Sequence, residues 1–246
     1  MYGKMAFFLI LILASPPTLQ GDQEDFGRII DNINQRNSKI QNIVCDDIQI
    51  FLRQSKMPQA KLKAQLKYSK TNNFRLLVAS KTGKEMDLGS NRQYFWFWSR
   101  RMKHKVLYYA KHQDVHKTRL KQPLNPNWII ESLNLNEIQV ENSKIGKFKQ
   151  NIIVFNTRPD KTTLVTLINP KEQIIGKYLY NKYDRLEVSC EVTEFDENSL
   201  PKKMLIIWYQ EDIEMNWIFN DIKIVKAIDF DWKMPNITPK KNLADD

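Results

Sequence analysis

From Lys61 to Tyr68 the chain reads KLKAQLKY, with Leu62, Ala64, Leu66 and Tyr68 on one side of a period-two repeat and Lys61, Lys63, Gln65 and Lys67 on the other. Strict alternation of this kind predicts a β-strand with one buried face. DDIQIFL repeats it with Ile48, Ile50 and Leu52, and FRLLVAS with Phe74, Leu76 and Val78. The stretches KMPQA, KTNN, KTGK and SNRQ punctuate these runs as turns, which predicts an antiparallel meander. One stretch breaks the rule: Tyr94 to Trp98, YFWFW, is aromatic at five consecutive positions, and VLYYA follows soon after. Neighbouring strands that are apolar on consecutive positions need cover on both faces. One side is expected under helices, the other against a loop, the C-terminal tail or a partner.

Two segments switch to helical spacing. In DFGRIIDNINQRNSKIQNI, Phe26, Ile29, Ile30, Ile33, Ile40 and Ile43 recur at three- and four-residue intervals, which predicts an amphipathic helix from Asp25 to Ile43 capped by Asp25. LNPNWIIESLN opens on Asn125-Pro126 and carries Trp128, Ile129 and Leu133, a short helix with proline early. Strand patterns then resume in KQNIIVFNT, TTLVTLIN, QIIGKYLYN, RLEVSCEVTEF, KKMLIIWYQ and MNWIFNDIKIV. The expected fold class is mainly β with few helices (α+β). A single strongly curved antiparallel sheet of about ten or eleven strands has its apolar concave face covered by the N-terminal helix and the mid-chain helix.

The first residues change the picture. Lys4 precedes MAFFLILILA, about ten apolar residues that are too few to span a bilayer, and Pro16-Pro17 follow. This is the pattern of a secretory signal peptide. It divides the chain into a leader over 1–21, one domain over 22–235 and a loose polar tail over 236–246, and it predicts a periplasmic or otherwise exported protein. No Cys follows the apolar run, so no lipid-attachment site is expected. In such a compartment Cys45 and Cys190 leave open either two buried free thiols or a bridge. The net charge of +10 favours anionic headgroups over nucleic acid in an exported protein. A chain rich in Lys, Asn and Ile would also carry part of that charge without selection for it.

Catalytic patterns are absent. HQDVH places His112 and His116 around Asp114, with His104 nearby, but a functional metal site needs three or four ligands. No phosphate loop, nucleophile elbow or Cys–His pairing is present. The sequence predicts no enzyme, no metal and no cofactor.

The order of leader, helix, meander, short helix and second meander resembles the LolA/LolB-like periplasmic lipoprotein carrier superfamily. That family has a basic residue and Pro-Asn before an apolar-led strand, read here as Lys70-Thr71-Asn72-Asn73-Phe74-Arg75. Its Leu-Trp-aromatic-Tyr strand corresponds to Phe95-Trp96-Phe97-Trp98, and its Phe-x-Phe-x-x-Pro close to Phe230-Asp231-Trp232-Lys233-Met234-Pro235. MDLGSN and NPNWIIESL also look like LolA-like envelope proteins of planctomycete-type bacteria. The carrier's Arg tied to lid closure falls on Lys70, whose ammonium lacks the guanidinium fork, and its Pro on Thr71.

The resemblance implies a half-open barrel whose cavity shelters acyl chains of a lipoprotein or lipid. Each sheltered methylene contributes about 0.8 kcal/mol. It implies a cavity wall of Leu66, Phe74, Leu76, Val78, Trp96, Trp98 and Tyr108 under a lid of Trp128, Ile129 and Leu133. It implies gating or headgroup contact at Lys70, Arg75, Arg100 and Arg101, although SRRMKHK also reads as a solvated turn. The implied partners are the acyl chains and an inner- or outer-membrane protein, with transient membrane contact by a monomer. The alternative reading is an exported scaffold that binds protein and has a solid core.

Overall fold

The computed structural model describes residues 23–55, 57–70, 73–100, 105–117, 126–141 and 143–245. The leader expected over 1–21, Thr71, Asn72, Arg101 and His104 lie outside these residues.

Helix α1 (Gln23–Lys39) forms because Phe26, Ile30, Ile33 and Asn37 line one stripe, and all four are buried. Arg36 and Lys39 sit in its last turn, where cations suit the helix dipole. The helix stops four residues short of the expected Ile43. The chain turns at Ile40, whose N–H reaches the Asn37 carbonyl (3.2 Å), and Ile43 belongs to the first strand.

Six strands follow as a meander: β1 (Asn42–Gln54), β2 (Ala60–Ser69), β3 (Asn73–Ser80), β4 (Gly83–Ser90), β5 (Tyr94–Ser99) and β6 (Leu107–Lys111). A 3-10 turn (His112–Lys117) precedes α2 (Pro126–Ser132). The second meander runs through β7 (Ser143–Phe148), β8 (Asn151–Thr157), β9 (Thr163–Ile168), β10 (Ile174–Tyr180), β11 (Leu186–Phe195), β12 (Pro201–Trp208) and β13 (Ile213–Phe219). Two short strands close the chain, β14 (Ile222–Ile224) and β15 (Lys240–Asn242).

All fifteen strands belong to one sheet, ordered β15-β6-β5-β4-β3-β2-β1-β13-β12-β11-β10-β9-β8-β7, with β14 also on β1. The two meanders meet where β1 pairs β13. The sheet is larger than the sequence suggested and mixed rather than wholly antiparallel, because β15 pairs β6 in parallel. It is open, with β15 and β7 at its ends. Of the expected strongly curved, half-open barrel, the structure therefore shows one open sheet, neither closed nor strongly curled, with two helices on one face. The segment expected as a loose tail supplies β15, because residues 240–242 find the free edge of β6.

Turns in the second meander repeat one design. Residues 158–162, 169–173, 181–185 and 196–200 each close with paired backbone hydrogen bonds of 2.8–3.1 Å, the first residue donating to the fifth and the fourth to the first. Each carries one left-handed residue that is not glycine: Lys161, Glu172, Asp184 and Ser199. The Asn169, Asn181 and Asp196 side chains accept backbone N–H groups within these loops.

The helices cover one face, here called inner. Phe26, Ile30 and Ile33 of α1 pack on Ile152, Val154, Ile168 and Ile174. Trp128, Ile129 and Ile130 of α2, and Leu133 just after it, join the main core with Leu66, Phe74, Leu76, Leu88, Phe97, Trp208, Trp217 and their neighbours. A third cluster, of Ile153, Val165, Leu167, Tyr178 and Tyr180, lies on the outer face.

The outer face of the first meander explains the run of aromatics. Alternation sends Phe95 and Phe97 inward and Trp96 and Trp98 outward. After β14 the chain crosses outside the first meander as a strap. Val225 and Lys226 bond to Asn42, Phe230 stacks under Lys67 and Arg75, Asn91 donates to the Trp232 carbonyl, and Leu107 donates to that of Pro239. Both faces are thus covered by the chain itself.

Candidate functional site

A groove of ≈ 630 Å³ opens beside α2. Its inner wall is Tyr68, Trp128, Ile130, Leu135 and Leu179, and its mouth carries Lys70, Glu131, Asn136, Glu137, Gln139, Arg158, Asp160 and Thr162. Tyr68 lies on β2 and Leu179 on β10, five steps apart in the strand order. Both side chains line the groove together with Trp128 and Ile130 of α2.

A buried ion pair holds α2 against the sheet. Lys177, in the middle of β10, points to the inner face and is 3% exposed. Its Nζ donates to Glu131 Oε1 (2.7 Å) and to the Glu131 carbonyl (2.9 Å). Asn136 Nδ2 donates to Glu131 Oε2 (3.1 Å), and Arg158 lies 3.7 Å away. Burial alone would raise the Glu131 pKa, but the Lys177 charge and hydrogen bond outweigh it and hold the carboxyl below its ordinary value. Asparagines connect the helices: Asn37 Nδ2 donates to the Asn134 carbonyl (2.8 Å), and Asn134 Nδ2 to that of Ile174 (3.0 Å). Lys70 Nζ is 3.5 Å from the Asn37 carbonyl, at the groove mouth. The indole N–H groups of Trp128, Trp208 and Trp217 are buried and find no acceptor among the described residues.

The residues named from the sequence divide into three groups. Leu66, Phe74, Leu76, Val78, Trp128, Ile129 and Leu133 come together in the core beneath and within α2. There they pack on the protein's own side chains, and of this group only Trp128 lines the groove. Tyr108 faces Phe97 across the β5–β6 pair and is half-buried. Trp96, Trp98 and Arg75 depart from the expectation, because register puts them on the outer face. Arg75 forks onto Asp87 (Nε–Oδ1 3.1 Å, Nη2–Oδ2 2.7 Å), Lys84 bonds the same carboxylate, and Trp96 Nε1 donates to it (3.2 Å). Burial would raise the Asp87 pKa, but the hydrogen bonds from Arg75 and Lys84 lower it below its ordinary value.

Of the described basic residues named from the sequence, Lys70 alone lines the groove. Arg100 lies at the opposite end of the strands, bonded to the Thr82 carbonyl and hydroxyl (3.0 Å each). His112 is engaged by the Asn91 carbonyl (2.7 Å) and the Ser90 hydroxyl (3.2 Å). Cys45 and Cys190 are free and buried, and burial pushes the thiols up to about 11 and about 12. Sequence reasoning missed Glu131, Lys177, Arg158 and Leu179. The lysine in IIGKYLY, alone in an apolar strand, was the available signal, because a buried charge requires a partner.

No family model matches the sequence, and no curated protein does. Solved structures do match. A domain described as an outer membrane lipoprotein-sorting protein from Vibrio parahaemolyticus aligns over 82% of this chain and 93% of its own, with TM-score 0.57 and 10% identity. A LolA superfamily protein from Nitrosomonas europaea aligns over 81% and 95%, with TM-score 0.53 and 9% identity. A DUF1329 family protein from Desulfovibrio piger aligns over 82% and 92%, with TM-score 0.52 and 9% identity. What this chain shares with them is the fold, a large sheet of the LolA type with helices on one face.

Proposed function

We propose that this protein is an exported, non-enzymatic carrier or binding protein that shelters acyl chains of a lipoprotein or lipid on the inner face of its sheet, next to α2. The observation that carries the reading is the coincidence of a LolA-type fold over more than four-fifths of the chain with a groove against α2. The Vibrio relative is described as lipoprotein-sorting. In this reading the open sheet acts as a half-barrel, and α2 as the element that shifts to admit hydrocarbon to Leu66, Phe74, Leu76 and Val78. Arg158 and Lys70 flank the groove mouth, where a headgroup or a membrane partner would approach.

A second reading has its own support. Leu66, Phe74, Leu76 and Leu133 are at most 1% exposed within one continuous core. An exported scaffold with a solid interior would look the same. Native mass spectrometry of protein recovered from envelope membranes separates the two. Co-purifying lipid or lipopeptide supports the carrier, whereas a ligand-free mass after exposure to lipid vesicles leaves the scaffold.

A further inference from the structure

The strap covers only part of the outer face of the first meander. It crosses at Lys67 and Arg75, where Phe230 lies 4.3 Å from the Lys67 ammonium, and again at Asn91 and Leu107. Toward the β1–β2 turn the same strands are bare, and Arg53, Lys61, Lys63, Gln65 and Ala79 are exposed. Pairing sets them on one surface: Lys63 stands beside Gln49 and Ala79, Lys61 beside Phe51, and Arg53 beside Glu214. Leu62, Ala64 and Leu66 turn the other way, into the core.

The charge on this surface is one-sided. Elsewhere exposed lysines meet acids, as Lys203 meets Glu194 (2.6 Å) and Lys223 meets Asp221 (2.6 Å). Here the nearby acids are already engaged. Asp87 is buried beneath Arg75 and Lys84, Glu85 accepts the Ser80 hydroxyl (2.6 Å), and Glu214 accepts the Asn216 amide (3.2 Å). Arg53, Lys61 and Lys63 form no ion pair among the described residues. Alternate residues of a strand are about 7 Å apart, so the lysines from Lys61 to Lys67 span about 20 Å. A charged field that broad cannot enter a duplex groove about 12 Å wide, but it matches the plane of anionic headgroups on a bilayer. The half-buried Phe51 and Leu77 beside the cations add apolar surface suited to the same partner.

A carrier of acyl chains must meet a membrane to load and to deliver. Building on that reading, we infer that the bare outer face of β1–β3, centred on Arg53, Lys61 and Lys63, docks the protein on the anionic surface of a bilayer. The helices and the groove lie on the opposite face and stay free when it docks.

Co-sedimentation of the full chain with vesicles tests this. The protein should bind vesicles of phosphatidylcholine mixed with phosphatidylglycerol, ignore phosphatidylcholine alone, and release as salt is raised. Each basic residue near an anionic surface strengthens adsorption roughly fivefold. Combining Arg53→Gln, Lys61→Gln and Lys63→Gln should therefore weaken binding on the order of a hundredfold, with an unchanged thermal midpoint. Combining Lys144→Gln, Lys171→Gln and Lys182→Gln removes the same charge from exposed positions of the second meander, and should keep most of the binding. Equal binding to both vesicle types, equal losses in the two triple variants, or binding to duplex DNA in place of anionic vesicles would overturn the inference. That failure, with lipid still co-purifying from membranes, leaves the carrier reading standing. Face-dependent vesicle binding by a protein whose own mass stays ligand-free keeps the docking face and removes the carrier.

Discussion

Gly89 faces Trp96 across the β4–β5 pair, and a methyl group built on it would lie 2.2 Å from the indole ring. The glycine is there because the ring lies flat over it to reach Asp87. Gly89→Ala should cost about 1–3 kcal/mol through overpacking, read as a lower denaturation midpoint with an unchanged slope. An unchanged midpoint would mean that the ring swings away freely. Asp87 and Glu131 are both held below their ordinary carboxylate values in the folded state, so each stabilises the fold fully above those values. That contribution disappears as pH falls through the lower, folded-state value. The thermal midpoint should therefore begin to fall below about pH 4. Asp87→Asn leaves Arg75 without its buried counter-charge; it should cost about 3 kcal/mol near neutral pH and flatten part of the acid limb. An acid limb identical to wild type would rule out Asp87 as its source.

Strands whose alternation is strict were legible from the residues alone, as β2 and β3 show: Ala64, Leu66, Tyr68, Phe74, Leu76 and Val78 all point inward as their spacing demands. Elements decided by distant pairing were not. Ile40 and Ile43 continue the helical interval of α1, yet the pull of β2 and β14 makes Ile43 a strand residue. In YFWFW, periodicity cannot say which face is inner, because both are covered. The hairpins of the second meander hide their turns as well, since Lys161, Glu172, Asp184 and Ser199 take the left-handed position that a glycine would have advertised. The strap is the clearest case, with an unremarkable polar composition but defined contacts at Phe230, Trp232 and β15. A chain ending at Val225 should unfold at lower temperature, shift its tryptophan emission to the red and be cut faster by protease within the first meander. Unchanged emission would show that the strap covers nothing.

For the whole molecule, the class of fold and the two covering helices followed from patterning, while the groove did not. Its lining is drawn from the end of β2, the β8–β9 turn, β10, α2 and the residues after it, which no local window unites. The ion pair between Glu131 and Lys177 was invisible for the same reason, with forty-six residues separating its halves. A sheet in which the first meander meets the last strand of the second also has slow, long-range closure built into it. The strap adds an order to that process. The residues that pair with β6 come last in the chain, so its outer edge stays open until residues 240–242 have been synthesised.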